Sequence, residues 1–348
     1  MSQPEPPRPD ARWAVLALVL LLLVGLIAVA WGVAHPQALS ASPPAAPAAP
    51  AVLPNPLGTP PPSPGAPDPT APSGTPTSTP TARPTTRPTL PWGGRRIFAG
   101  DDLLVAYYGT AGTGALGVLG ETSPARMQQQ LERAAAAFRR PGRPVRLVYE
   151  LIVTIADRSP GPDRSYSHPL SRAAVEPYVR AARRHGALLL LDIQPGHQRF
   201  LPAARHWAWA LRQPEVGLAL DPEWRLPRGV VPAQQVGSVS AAEINRTSAW
   251  LADLVRRHDL PEKLFVLHQF RTAMIRDIDA VRSRPGLAMV QHVDGFGTRS
   301  EKRATYRVVA RPDLFRMGFK LFYDEDVRRM GPAEVFALRP RVRFVSFQ

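Results

Sequence analysis

VGLALDPEW (216–224) decides how this chain is read. Val216 to Leu220 form an apolar run of the kind that suits a strand buried on both faces, as in a parallel sheet. The run then turns acidic, at Asp221 and Glu223, and closes on Trp224. Period two places Ala219, Asp221 and Glu223 on one face and Leu218 and Leu220 on the other.

Seven more runs have the same form. They are LLVAYYG (103–109), VRLVYELIV (145–153), ALLLLDIQ (187–194), LFVLHQF (264–270), LAMVQHVDGFG (287–297), MGFKLFYD (317–324) and FVSFQ (344–348). Helical segments are expected between them. Ser123-Pro124 offers an N-cap with proline at the first helical position. Ser240-Ala-Ala-Glu243 has capping-box spacing ahead of Trp250, Leu251 and Leu254. Segments 171–184, 200–212, 271–282 and 301–310 also read as helical. Eight strand–helix alternations over about 250 residues predict an α/β fold, a (β/α)₈ barrel of TIM type spanning 96–348. An open doubly wound sheet is the alternative. GTAGTGALG (109–117) lacks the G-x-G-x-x-G spacing of a nucleotide fingerprint.

Such a barrel carries its site at the C-terminal ends of its strands, and the polar residues gather there. Strand two ends near Glu150, with Thr154 beyond it. Strand three ends in Asp192 and Gln194, strand four in Asp221 and Glu223, strand five in His268 and Gln269. Strand six ends in His292 and Asp294, strand seven carries Lys320, Tyr323 and Asp324, and strand eight ends in Ser346 and Gln348. Asp192 and Gln194 share a face with Leu188 and Leu190, His292 and Asp294 with Ala288 and Val290, and Lys320 with Phe322 and Asp324. These faces are assigned to the interior, because carboxylates turned against outer helices would be stranded. Taken singly, some have plain explanations. Asp294 before Gly295 suits a turn, Asp326 before Val327 an N-cap, and Trp207 and Trp209 a core. Polar ends on seven strands of eight point instead to a ligand or active site.

Glu223 is the sharpest catalytic candidate. Two carboxylates two residues apart on a strand lie ~7 Å from each other, and like charges that close raise one pKa, which suits a general acid. Trp224 beside them can stack on a sugar ring. Lys320 stands out by scarcity, as one of three lysines in a chain with forty arginines. A compact ammonium there would neutralise Asp324 or Asp221, hold a substrate hydroxyl, or form a structural ion pair.

VGLALDPEW resembles the fourth-strand motif of the family 18 glycoside hydrolases, D-G-x-D-x-D-x-E. Gly217 matches its glycine, Asp221 its last aspartate and Glu223 its glutamate, while Val216 and Ala219 stand where the motif has aspartates. That resemblance implies an aspartate that positions an N-acetyl group and a glutamate that protonates the leaving oxygen. The layout is also similar to the superfamily of retaining barrel glycosidases, which implies Glu223 as acid/base and Asp324 as nucleophile. Pro222 stands where that superfamily has asparagine. The folded part also looks like uncharacterised exported barrel proteins of actinobacteria.

The rest of the chain bears on location. Trp13 to Ala34 carries no charge and is long enough to span a bilayer as a signal-anchor. Arg8 and Arg12 on its N-terminal side keep residues 1–12 cytoplasmic and place everything C-terminal to the span outside. A cleaved signal peptide, which would leave the protein secreted, is the competing reading. Nineteen of the 41 prolines fall between Pro36 and Pro91, so residues 35–95 read as a disordered Pro/Ala/Thr-rich linker holding the barrel away from the membrane. The net charge of +15 comes from arginine without basic runs, which excludes a nucleic-acid footprint. The absence of cysteine excludes disulfides and thiolate chemistry.

Together these readings predict a membrane-anchored extracytoplasmic barrel, a monomer, acting on a cell-wall or extracellular glycan. Glu223, Asp221 and Asp324 are its catalytic candidates. Glu150, Asp192, Gln194, Trp224, His268, Gln269, His292, Asp294, Lys320 and Tyr323 are its substrate-binding candidates. No metal and no cofactor is expected. The alternatives are a non-catalytic carbohydrate-binding barrel, a metal-dependent hydrolase built on His268, His292 and Asp294 with Asp192 or Asp221, and a phosphodiesterase using His268 and His292 as acid and base.

Overall fold

The computed structural model describes residues 87–348. The expected cytoplasmic N-terminus (1–12), the anchor (13–34) and nearly all of the linker lie outside the described residues. Among the described residues no helix is long and apolar enough to cross a membrane.

Eight parallel strands close into a barrel. They are β1 (Leu103–Gly109), β2 (Val145–Ala156), β3 (Leu188–Ile193), β4 (Val216–Leu220), β5 (Lys263–His268), β6 (Leu287–Val293), β7 (Arg316–Leu321) and β8 (Val342–Phe347). Each pairs with its sequence neighbours, and β1 pairs with both β2 and β8, which leaves no open edge. The doubly wound alternative is thereby excluded. A short strand, Ser167–Pro169, adds antiparallel to the end of β2.

Helices cover the outside: α1 (Pro124–Ala136), α2 (Arg172–His185), α3 (Phe200–His206), α4 (Ala208–Leu211), α5 (Ala241–Arg257), α6 (Arg299–Val309) and α7 (Pro332–Ala337). Their ends follow local chemistry. Ser171 caps α2 by accepting from the Ala174 amide, and Gly186, at φ 68°, ends that helix in the left-handed region. Thr298 and Glu301 form a full capping box on α6. Ser240 caps α5 through the Glu243 amide, but the Glu243 carboxylate reaches instead to the Phe200 amide (2.9 Å) and Arg225 (3.2 Å). It therefore ties the β3–α3 and β4–α5 connections together.

Two expected helices differ from the structure. Segment 200–212 is broken in two at Trp207, whose buried indole Nε1 donates to Thr154 Oγ1 at 3.0 Å. Segment 271–282 is not a helix. It forms two 3₁₀ turns around Ile275–Arg276, a two-residue strand that pairs with Val239–Ser240. Asn245 of α5 holds it there, donating to the Ala280 carbonyl and accepting from the Arg282 amide, both at 2.8 Å. Tertiary hydrogen bonds override a helix-like apolar spacing.

The strands separate two cores. The outer one lies between barrel and helices and includes Leu189, Leu191, Leu218, Leu220, Phe265 and Phe319. The inner one fills the barrel floor with Leu104, Ala106, Val148, Leu188, Leu190, Ala219, Leu264, Val266, Ala288, Val290 and Phe344. Leu90, Ile97 and Phe98 close it from below, with Trp92 packed against it. Composition puts residues 87–95 in the linker, yet Leu90 is buried and Arg95 hydrogen-bonds the carbonyls of Asp259 (3.0 Å) and Leu260 (2.8 Å). The folded unit thus includes this plug.

Candidate active site

Above that floor the inward positions become polar. The strand alternation carries Leu104 and Ala106 on to Tyr108, Val148 to Glu150, and Leu188 and Leu190 to Asp192. It carries Leu264 and Val266 to His268, Ala288 and Val290 to His292, and Phe344 to Ser346. Lys320 joins them from β7. All of these are buried, so each needs a partner.

His268 is the hub. Its Nδ1 lies 2.8 Å from Asp294 Oδ2 and its Nε2 3.0 Å from Glu150 Oε1, with Asp192 Oδ1 at 3.9 Å. Burial by itself would lower its pKa, and Lys320 pushes the same way. The hydrogen bonds to Asp294 and Glu150 outweigh both and raise it well above the ordinary histidine value, so His268 is an imidazolium donating from both nitrogens. Burial would raise Asp294, but the His268 hydrogen bond and charge, with Lys320, hold its carboxyl below the usual range. Lys320 Nζ lies 3.7 Å from Asp294 Oδ2, 3.2 Å from Gln348 Oε1 and 3.5 Å from the centre of the Tyr108 ring. Tyr108 donates to Asp192 Oδ2 at 2.9 Å and accepts from Gln194 at 3.4 Å. Burial, with the charges of Asp192, Asp221 and Glu150, keeps its phenol protonated.

His292 behaves in the opposite way. Burial and the charges of His268, Lys320 and Lys302 push its pKa well below the ordinary value, so it is neutral. Its Nε2 lies 2.7 Å from Ser346 Oγ, and its ring is tilted against Phe344 at 4.6 Å. Gly318 on β7 makes room for it, because a Cβ there would sit 2.3 Å from His292 Nδ1.

The acidic turn after β4 forms the rim. Asp221 is buried and caps a 3₁₀ turn, Pro222–Trp224, by accepting from the Glu223 amide at 3.2 Å. Its pKa is pushed well upward by burial, and Asp192, Glu223 and Asp294 add to this against His268. Glu223 and Trp224 are half-buried. Burial first, then Asp294, pushes the Glu223 carboxyl up to about 7 against Lys320, His268 and Arg271. Asp192 is likewise raised by burial, partly offset by His268.

The predicted residues thus divide. Glu150, Asp192, Gln194, Asp221, Glu223, His268, Asp294 and Lys320 belong to one electrostatic network, with His292 beside it. Asp324 is exposed in the loop after β7, and Asp294 is the carboxylate that presses hardest on Glu223. Gln269 lies on the outer face, where it accepts from Gln291 at 2.6 Å. Tyr323 is not among the inward groups: it packs on Phe347 and meets Tyr107 Oη at 3.3 Å, both on the helix-facing side of the barrel, with Arg329 over its ring. The scarce lysines are all buried. Lys302 pairs with Asp326 at 2.8 Å and donates to the Gly295 and Lys320 carbonyls, both at 2.9 Å, fixing the loops that bear Asp294 and Tyr323.

Tyr108 and Phe296 are absent from the sequence-based candidates. Sorting LLVAYYG by period two would have placed Tyr108 inward with Leu104 and Ala106. Phe296 has no such signal. It follows Asp294-Gly295 and is exposed beside Phe322, near Val327, which is also exposed. Among the described residues no three His, Asp or Glu side chains are grouped to hold a metal ion. No protein-family model matches the sequence, and no curated protein matches it.

Proposed function

We propose that the barrel mouth is a glycan-hydrolysing site in which Glu223 is the general acid. The observation that carries this reading is the placement of Glu223. It stands half-buried at the end of β4, above a buried network in which Asp294 is ionised and Glu223 is protonated near neutral pH. Two carboxyl groups pushed in opposite directions supply the acid and the anion that glycoside cleavage needs. Glu223 delivers its proton to the glycosidic oxygen as the bond breaks, and a water then adds to the anomeric carbon and returns a proton to the Glu223 carboxylate. Asp294, at the end of β6 and separated from β4 by β5, offers the negative charge that offsets the oxocarbenium-like transition state. His268 and Lys320 keep Asp294 ionised, and the Asp221 side chain fixes the turn that aims Glu223. In this assignment Asp294 takes the place that the sequence pattern gave to Asp324.

The domain works outside the cytoplasm, held by the apolar segment 13–34 and carried on the proline-rich stretch. A non-catalytic glycan-binding barrel is the second reading, supported by Ala219, which packs into the apolar floor where the motif has an aspartate. Release of reducing ends from cell-wall polysaccharides separates the two. Hydrolysis by the full chain that is abolished by Glu223→Gln and kept by Asp324→Asn supports the assignment. Hydrolysis that survives Glu223→Gln sinks it, and glycan binding without turnover selects the binder.

A further inference from the structure

The end of the barrel opposite the mouth carries a cleft of about 380 Å³. It lies beside the plug, at the starts of β6 and β7, and its polar lining includes Arg96, Glu262, Ser283, Arg284 and Arg316. Three guanidinium groups against one carboxylate leave it two positive charges in excess. Other arginines at this end have acids. Arg143, Arg341 and Arg343 gather on Asp101, Arg146 pairs with Asp102, and Arg87 and Arg95 pair with Asp259. The side chains of Arg96 and Arg316 are exposed and, among the described residues, make no hydrogen bond and no ion pair. Arg284 gives Nη2 to the Asn245 carbonyl at 3.3 Å, while its Nε is buried without an acceptor. A buried donor left bare marks a place for an ion or a water.

The backbone holds all three arginines in place. Arg284 opens the turn Arg284-Pro285-Gly286-Leu287, closed by the Leu287 amide donating to the Arg284 carbonyl at 3.2 Å, with Gly286 at φ 81°. Proline and then glycine at the two central positions suit that turn. Arg96 lies on a stretch of the plug clamped from both sides. The Glu262 amide donates to the Arg95 carbonyl at 2.8 Å, and the Ile97 amide donates to Glu262 Oε2 at 2.7 Å. That second bond commits the one carboxylate of the cleft to the plug. Arg316 is the first residue of β7, in parallel register with Val290 of β6.

We propose that this cleft binds a dianionic phosphate group, held by the guanidinium groups of Arg96, Arg284 and Arg316. A carboxylate brings one charge and two oxygens, which leaves one positive charge and one guanidinium unmatched. A phosphate dianion balances the excess and offers a terminal oxygen to each arginine, whose planar fork suits it. The cleft lies at the opposite end of the barrel from Glu223, so binding there is independent of glycan hydrolysis at the mouth.

Calorimetric titration of the full chain at low ionic strength tests this, with inorganic phosphate as probe and acetate as control, at about pH 8 so that phosphate is mainly dianionic. Saturable binding at one site, about ten-fold or more tighter for phosphate than for acetate, is expected. Arg96→Gln and Arg316→Gln alter exposed side chains and should each weaken phosphate binding roughly ten-fold. Arg212→Gln, exposed at the same end but outside the cleft, should leave it unchanged. Glycerol 3-phosphate and its soluble dihexanoyl ester then separate the sources. Equal affinity for all three probes assigns free phosphate, a gain with glycerol 3-phosphate assigns a small soluble ester, and a further gain with the dihexanoyl ester assigns a lipid headgroup. No saturable binding at millimolar phosphate, or equal affinity for acetate, overturns the proposal whatever the variants do. Equal losses in Arg212→Gln and the cleft variants reveal diffuse surface charge and overturn it too.

Discussion

The lower and upper halves of the barrel interior stand on the same eight strands and obey the same alternation, but they hold opposite chemistry. Below, Leu190, Ala219, Val266, Val290 and Phe344 fill the floor against the plug formed by Leu90, Ile97 and Phe98. One inward step higher stand Asp192, Asp221, His268, His292 and Ser346. Apolar burial stabilises the floor. The upper layer gathers charges out of water, which costs stability even when they are paired. The contrast teaches that the floor holds the barrel, while the mouth carries the groups to which the proposed function assigns the chemistry.

Substitutions test that division. The largest effect expected is at the mouth. Glu223→Gln should lower kcat/KM for glycan hydrolysis by about 10²–10⁴-fold, the usual contribution of a general acid, with little change in melting temperature. On the floor the pattern reverses. Leu264→Ala should cost about 2–5 kcal/mol in denaturant unfolding, while the fraction that remains folded keeps its kcat/KM. At the boundary, Gly318→Ala forces a methyl against His292 and should cost about 1–3 kcal/mol. It should also lower activity, because His292 packs edge-on to His268 at 5.3 Å. Away from both halves, Ser240→Ala removes the N-cap of α5 and should cost about 1 kcal/mol with no kinetic effect. A floor substitution that changed kcat/KM of folded protein as strongly as Glu223→Gln would erase the distinction.

Stability against pH sharpens it further. Glu223 has its folded pKa raised from 4.5 to about 7, so the native state holds a proton that the unfolded chain has released. The stability gained from that proton is fully present below 4.5 and is lost as pH rises toward about 7. Unfolding curves across this window should show the decline, and Glu223→Gln should flatten it.

Much of this was legible in the sequence, for a physical reason. Strands of a closed parallel barrel are buried on both faces, so each appears as a continuous apolar run, and a polar residue inside such a run stands out. Asp192, His268 and Lys320 were found that way. Asp324 and Gln269 were grouped with them because position along the chain does not reveal where a strand stops. The polar end of β7 turns outward after Leu321, and Gln269 falls on the helix-facing side. His268 and Asp294 were brought together only in the metal-dependent alternative, and the coupling of Asp294 to Glu223 was invisible, since it spans strands whose distance is set by barrel closure. Segment 271–282 was misread because its apolar spacing suits a helix and the Asn245 clamp lies in another element.

The pH dependence of kcat/KM for glycan hydrolysis, measured for the parent and for Asp294→Asn, tests the central claim most directly. With Glu223 as acid and Asp294 as the charge that raises it, activity should fall on the alkaline side with an apparent pKa near 7. Removing the Asp294 charge should shift that limb toward lower pH. An alkaline limb that stays in place in Asp294→Asn, or a parent profile with none near neutrality, contradicts the account.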